Sequence, residues 1–196
     1  MIAALFVQKG GAYFGLENVD PWDEARDARI YAGPWPVVAH PPCERWSQMS
    51  RVNAKRWGYE MGADGGCFAS ALDSLRRWGG VLEHPAESLA FAAYSLPKPT
   101  PFAWSATTHG LWTTEVRQST YGHLATKRTW LVYRGENAPQ TIDWRRSRGT
   151  HQIGGFDVTL PQLPKKLRAA TPPAFRDLLI AMAESANRKA AARATL

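Results

Sequence analysis

Pro36-Val37-Val38-Ala39-His40-Pro41-Pro42-Cys43-Glu44-Arg45-Trp46-Ser47-Gln48-Met49-Ser50 is the stretch from which the fold is read. Val37 to Ala39 is a short apolar run with β-branched residues, the mark of a buried strand, and Pro41-Pro42 stops the backbone from continuing as strand or helix. The chain turns at the strand's carboxyl end and presents Cys43 on a loop whose approach both prolines fix. Arg45 stands close by in sequence, and a cation near a thiol lowers its pKa and raises the thiolate fraction. Cys43 is therefore a candidate nucleophile. The same position also suits a small buried apolar side chain, the commoner fate of a free cysteine. His40 and Cys43 are spaced like metal ligands, but the Pro-Cys-x-x-Cys of zinc deaminases lacks its second cysteine, because Trp46 takes that place. No metal is expected.

Towards the N-terminus, Ile2 to Val7 reads as a first strand. Gln8-Lys9-Gly10-Gly11 is a glycine turn into the apolar segment Ala12 to Leu16. Strand, glycine turn and helix start make a common nucleotide-binding arrangement, because glycines let the backbone approach a ligand and a helix N-terminus offers free N–H groups. Asn18 to Arg29 is polar, with a short helix expected over Pro21 to Ala28, opened by Asp20.

Beyond the Cys43 loop, Ser47 to Gly66 reads as a mobile basic flap, with Arg51, Lys55 and Arg56 interleaved with Trp57 and Tyr59. Cys67, Phe68, Ala71, Leu72, Leu75 and Trp78 recur at helical spacing, so a helix spans Gly66 to Trp78, ended by Gly79-Gly80 and carrying Cys67 in its core stripe. Val81-Leu82 is a third strand with Glu83-His84-Pro85 at its carboxyl edge. Alternating strands and helices predict an α/β sheet whose ligand site lies at the strands' carboxyl ends, where Glu83, His84 and the Cys43 loop meet. Glu87 to Tyr94 is a short helix and Pro97 to Pro101 a rigid connector. Leu111-Trp112, Val116 and Trp130 to Tyr133 are strand-like, with the polar, basic Ser119 to Arg128 between them. Glu136 to Lys166, with Arg145, Arg146, Arg148, His151, Lys165 and Lys166 around Gly149 and Gly154-Gly155, reads as a small nucleic-acid-facing insertion. Thr171 is placed as the N-cap of a last helix, opened by Pro172-Pro173 and bearing an apolar face from Phe175 to Ala186; the final Ala- and Arg-rich residues are expected to fray.

A chain of 196 residues with 44% hydrophobic content suits a single domain over 1–196, with 136–166 as its insertion. A formal net charge of +7 and nine tryptophans beside many arginines favour an anionic partner, a nucleic acid. Two cysteines without regular spacing fit a reducing cytoplasm rather than a disulfide scaffold, and no apolar run is long enough for a secretory leader or a membrane span.

Laid end to end, these pieces resemble the cytosine-C5 DNA methyltransferase family over most of the chain, as a reduced, phage-type member. Leu5-Phe6-Val7-Gln8-Lys9-Gly10-Gly11-Ala12-Tyr13-Phe14-Gly15-Leu16-Glu17 is similar to the cofactor loop Leu-Phe-x-Gly-x-Gly-Gly-x-x-x-Gly-Leu-Glu, with Gln8 at its first glycine. Pro41-Pro42-Cys43-Glu44-Arg45-Trp46-Ser47 matches the catalytic Pro-Pro-Cys-x-x-x-Ser in full. Leu82-Glu83-His84 falls at Glu-Asn-Val, and Tyr121 to Trp130 resembles the Gln-x-Arg-x-Arg segment, with Lys127 in a basic position and Thr129 at the second arginine. The resemblance implies a shortened Rossmann-like, methyltransferase-type sheet with helices on both faces. Its partner would be DNA, double-stranded with a flipped base or single-stranded: Cys43 would add to C6 of a pyrimidine, Glu83 would bond the ring's N3 side, and Lys127 or Arg128 would bind the ring edge or a phosphate. Phe6, Gly10 and Gly11 would face a cofactor, while Pro42, Arg45, Ser47, His84, Arg145, Arg146 and Arg148 would face the substrate. The donor stays open between S-adenosylmethionine, for an ordinary methyltransferase, and another group, for a DNA hypermodification transferase acting on a 5-hydroxymethyl-derived pyrimidine; a catalytically inactive DNA-binding relative is the third expectation.

Overall fold

The computed structural model describes residues 1–154 and 159–186; Gly155 of the glycine pair and the last residues expected to fray lie outside them. β1 (Ile2–Leu5), β2 (Val19–Trp22), β3 (Val37–Ala39) and β4 (Gly80–Pro85) lie parallel in the spatial order β2-β1-β3-β4. β7 (Arg128–Arg134) runs antiparallel to β4, β6 (Trp112–Arg117) antiparallel to β7, and the short β5 (Ser105–Ala106) antiparallel to β6, which completes a seven-stranded mixed sheet.

Both faces of this sheet are covered, and the alternation of side chains along each strand shows how. Ala3, Leu5, Val37, Ala39, Leu82 and Val132 point to one side, where Phe68, Ala71, Leu72 and Leu75 of α2 (Cys67–Trp78) cover them. Ile2, Ala4, Val38, Val81, Leu131 and Tyr133 point to the other, against Phe175, Leu179, Met182 and Ala183 of α5 (Pro173–Ser185). Strands buried on both faces need the near-continuous apolar runs that β1, β3 and β4 carry. Gly80, at φ +117, lets β4 start hard against β3: a Cβ there would lie 2.0 Å from the Val37 carbonyl oxygen.

The mixed α/β architecture agrees with the expected class, and β3 and α2 fall where the sequence put them, with Cys67 half-buried at the first residue of α2 rather than in its core. Other elements differ. No helix follows the glycine turn: Gly11 N–H donates to Gln8 O at 2.8 Å, Phe14 N–H to Gly11 O at 3.1 Å, and Gly15 at φ +74 ends the run. Val19 to Trp22 is a strand rather than part of a helix, because β1 offers a free edge and an edge strand tolerates Pro21's missing N–H; Asp23, not Asp20, then caps a 3-10 turn over Glu24–Arg26. The supposed flap holds α1 (Ser50–Trp57). α3 (Leu89–Ala93) starts after Ser88, whose Oγ accepts from Ala90 N, and α5 starts with Pro172 rather than Thr171 at its cap.

Among the described residues of 136–169, regular structure is confined to α4 (Lys165–Ala169) and isolated bridges, of which His151 to Ala125 ties the segment to the core. Ser119, Thr120 and Arg117 side chains hold the carbonyls of Ser147, Arg145 and Arg146. The insertion is thus pinned at its base. No helix among the described residues is long and apolar enough to cross a membrane.

Candidate active site at the carboxyl edge of the sheet

After β1 the chain moves outward to β2, then returns across β1 to β3 on its far side, so the strand order reverses between β1 and β3. Crevices at such switch points, outside the carboxyl ends of parallel strands, are where open α/β sheets bind ligands. A cleft of about 1170 Å³ lies there. One wall is the turn after β1, from Phe6 to Tyr13; the floor is His40 to Glu44 after β3 and Glu83 at the end of β4; the opposite wall is Ala125 to Arg128 with segments from His151 to Thr171.

Cys43 reaches the cleft on a loop that is held from below. Trp46 is buried, its N–H donates to Cys43 O at 3.0 Å and its Nε1–H to Asp64 Oδ2 at 2.8 Å, and Leu89 N–H donates to Trp46 O at 2.9 Å. Burial first and the Glu83 charge second push the Cys43 thiol's pKa up, while Lys127 pulls it down. The cation that lowers it comes from the start of β7, not from Arg45, whose guanidinium lies 3.7 Å over the Tyr59 ring. Sequence proximity suggested Arg45; the turn at Glu44–Trp46 carries it away.

Glu83 is the charged centre of the floor. The β3–β4 register pairs Ala39 with Leu82, so His40 and Glu83 are lateral neighbours, and His40 Nδ1 lies 3.0 Å from Glu83 Oε2. Gln118 Nε2, from the end of β6, donates to Glu83 Oε1 at 3.0 Å and to Thr129 Oγ1 at 2.9 Å. Burial opposes ionisation of Glu83, but the His40 bond, with Lys127 assisting, holds its pKa down to about 2. On the far side of His40, Nε2 lies 2.8 Å from Tyr13 Oη. Burial and the Glu83 charge keep Tyr13 a phenol, and the ionised Glu83 can only accept, so His40 Nδ1–H is the donor of the bond between them.

The other expected residues divide. Phe6, Gly10, Gly11, Pro42, Lys127 and Arg128 line the cleft together with Cys43 and Glu83. Lys127 Nζ donates to the Ala170 carbonyl at 3.3 Å, and the Arg128 guanidinium forks onto Glu115 at 2.7 and 2.8 Å and reaches Glu87 at 3.3 Å. His84 is fully buried on the opposite face, its ring edge-on to Phe68 with centroids 5.1 Å apart, and cannot touch a substrate in this cleft. Successive residues of a strand point to opposite faces, so Glu83 and His84 could not both face it. Ser47 is half-buried outside the lining; Arg145 pairs with Asp143, Arg146 lies 4.3 Å over the Phe102 ring, and Arg148 is exposed, all three away from the cleft. The basic wall is made instead by Lys165, Lys166 and Arg168. The sequence reading missed Tyr13 and Gln118 and weighed His40 only as a metal ligand; for His40 the available signal was a polar residue directly after an apolar strand, at the edge that carries Cys43 and Glu83.

The residues present do not fit S-adenosylmethionine as the resemblance implies it. The turn after β1 uses Gly11 for its own closure, since a Cβ there would lie 2.8 Å from Gln8 O, and no helix N-terminus follows to offer N–H groups. Asp23, the acid at the end of β2, accepts from Arg26 N at 3.2 Å as a cap. Among the described residues no three His, Cys, Asp or Glu side chains cluster as a metal site. A scan against protein-family models and a search of curated proteins find no match.

Proposed function

We propose that this protein modifies C5 of a pyrimidine in DNA through a covalent bond between Cys43 and C6, as a divergent relative of the cytosine-C5 DNA methyltransferases with a shortened Rossmann-like sheet. Its substrate is a 5-substituted, hydroxymethyl-derived pyrimidine and its donor is not S-adenosylmethionine. One observation carries the reading: the proline-fixed Cys43 shares the switch-point cleft with the ionised Glu83 and with Lys127, three groups delivered by three different elements.

The chemistry follows from these groups. Sulfur bonds to C6 and the C5–C6 π electrons move to the C4 oxygen, which breaks the ring's aromaticity. The resulting enolate expels the oxygen substituent of the C5 methylene and leaves an exocyclic double bond. An incoming nucleophile adds to that methylene, and loss of the thiolate from C6 restores the ring. Lys127 stabilises the oxyanion, and the basic wall of Lys165, Lys166 and Arg168 suits the flanking phosphates. A base must leave its stack to enter such a cleft.

The test needs no knowledge of the donor. Addition at C6 makes a hydrogen at C5 exchangeable, so duplex and single strands carrying [5-³H]deoxyuridine are expected to release tritium to water with the wild type and not with Cys43→Ser. A 5-hydroxymethyl-pyrimidine duplex is expected to give a protein–DNA adduct whose mass maps to Cys43. Neither release nor adduct with any of these strands overturns the reading.

A further inference from the structure

We infer that the hydrogen-bonded chain Tyr13–His40–Glu83–Gln118 is the proton relay of this cleft, with Tyr13 Oη as its outer end, His40 as the group that changes charge, and Glu83 and Gln118 as positioning residues. This deepens the pyrimidine reading and rests on it. The resemblance gives Glu83 the N3 edge of the base, yet each Glu83 oxygen already accepts a side-chain bond, Oε2 from His40 and Oε1 from Gln118. A carboxylate held from both sides acts on its neighbour's orientation: it fixes His40 as the Nδ1–H tautomer and leaves Nε2 as the basic nitrogen, which Tyr13 meets at 2.8 Å. Four residues from four separate segments of chain converge in this line, and three of them line the cleft.

The relay closes the proton balance of the reaction. Cys43 and Tyr13 line the same cleft, and the Cys43 thiol gives its proton to Tyr13 Oη, directly or through a water, while the Tyr13 proton passes to His40 Nε2, leaving a neutral phenol and an imidazolium paired with Glu83. That proton travels back to the departing oxygen, which leaves as a neutral hydroxyl compound. The incoming nucleophile surrenders its own proton along the same path, and the thiolate recovers it when C6–S breaks. Each step transfers one net proton and consumes no oxidant or further reactant.

The charged and titratable groups around His40 and Cys43 are Glu83 and the neutral His84 on β4, Glu44 on the Cys43 loop, Tyr13 after β1, Lys127 before β7, and Arg176 and Asp177 on α5. An imidazolium at His40 cancels the Glu83 charge that otherwise disfavours the thiolate. The relay is therefore readable without any substrate, in the rate at which iodoacetamide alkylates Cys43 as a function of pH, in a Cys67→Ser background that removes the other thiol. The wild type is expected to show two steps. His40→Asn should leave one step and slow alkylation at neutral pH about tenfold. Glu83→Gln should speed alkylation while it abolishes tritium release, a divergence that a merely structural Glu83 would not give. Tyr13→Phe, which removes one hydroxyl, tests the outer end should His40→Asn fail to fold: ¹⁵N imidazole spectra of the wild type should show the Nδ1–H tautomer, and that resonance pattern should change in Tyr13→Phe. One-step wild-type alkylation, or an Nε2–H tautomer, overturns the relay. Two-step alkylation with no tritium release and no adduct keeps the relay and overturns the pyrimidine chemistry.

Discussion

His84 and Glu83 are chain neighbours with opposite surroundings, and both make the fold lose stability in acid. Burial pulls the His84 pKa to about 4, against the opposing Glu83 charge and the Pro42 carbonyl, so the folded protein holds it neutral. An unfolded chain binds that proton near the ordinary value of 6.5, so stability is intact above pH 6.5 and falls as pH drops through 4, by an amount on the order of 3 kcal/mol. Glu83, ordinarily near 4.5 and held to about 2, adds a second loss between those values, with the same sign because the unfolded state again binds more protons. Urea midpoints measured from pH 7 to 4 should fall steeply for the wild type and much less for His84→Gln. An unchanged slope would mean that His84 is already protonated in the fold. A second residue-scale expectation concerns Arg128, whose partner Glu115 is 5% exposed and also accepts from Trp130 Nε1 at 2.9 Å. Arg128→Met leaves that carboxylate uncompensated and should cost about 2 kcal/mol in chemical denaturation, less than for a fully buried pair because the arginine is half exposed.

At the scale of elements, two devices place the site. The first is the close start of β4 against β3. Gly80→Ala puts a methyl group into the Val37 carbonyl and forces a side chain to a positive φ, so it should destabilise by about 3 kcal/mol or more, as thermal unfolding would report. The damage spreads further than the clash, because the β3–β4 register sets His40 beside Glu83. The second device is Asp64, which accepts from Gly66 N and Phe68 N at the start of α2 and from Trp46 Nε1 below the Cys43 loop. Asp64→Ala frays the α2 N-terminus and unpins Trp46 together, at a cost of about 2 kcal/mol. It should also raise the alkylation rate of Cys43 as the loop loosens; a stability loss with unchanged alkylation would show that the prolines alone hold the loop.

On the scale of the whole molecule, the net charge of +7 is unevenly useful. Lys165 and Lys166 line the cleft, whereas Arg145 and Arg146 are engaged elsewhere. If the cleft receives a DNA strand, log affinity plotted against log salt should lose about two units of slope in Lys165→Glu/Lys166→Glu and little in Arg145→Gln. Equal effects from both variants would spread the interface over the insertion. The sequence by itself determined the apolar strands β1, β3 and β4, the helix α2, and the placing of Cys43 and Glu83 at strand ends, because burial on two faces and proline breaks write themselves into local composition. Only the tertiary structure decided the rest. β2 is a strand because β1 has an open edge, which no local propensity encodes. His84 turns away because a strand's pleat sends neighbours to opposite faces. Tyr13, His40, Glu83 and Gln118, far apart in the chain, form one hydrogen-bonded line because strand order and register, set by long-range packing, bring their segments to the same edge.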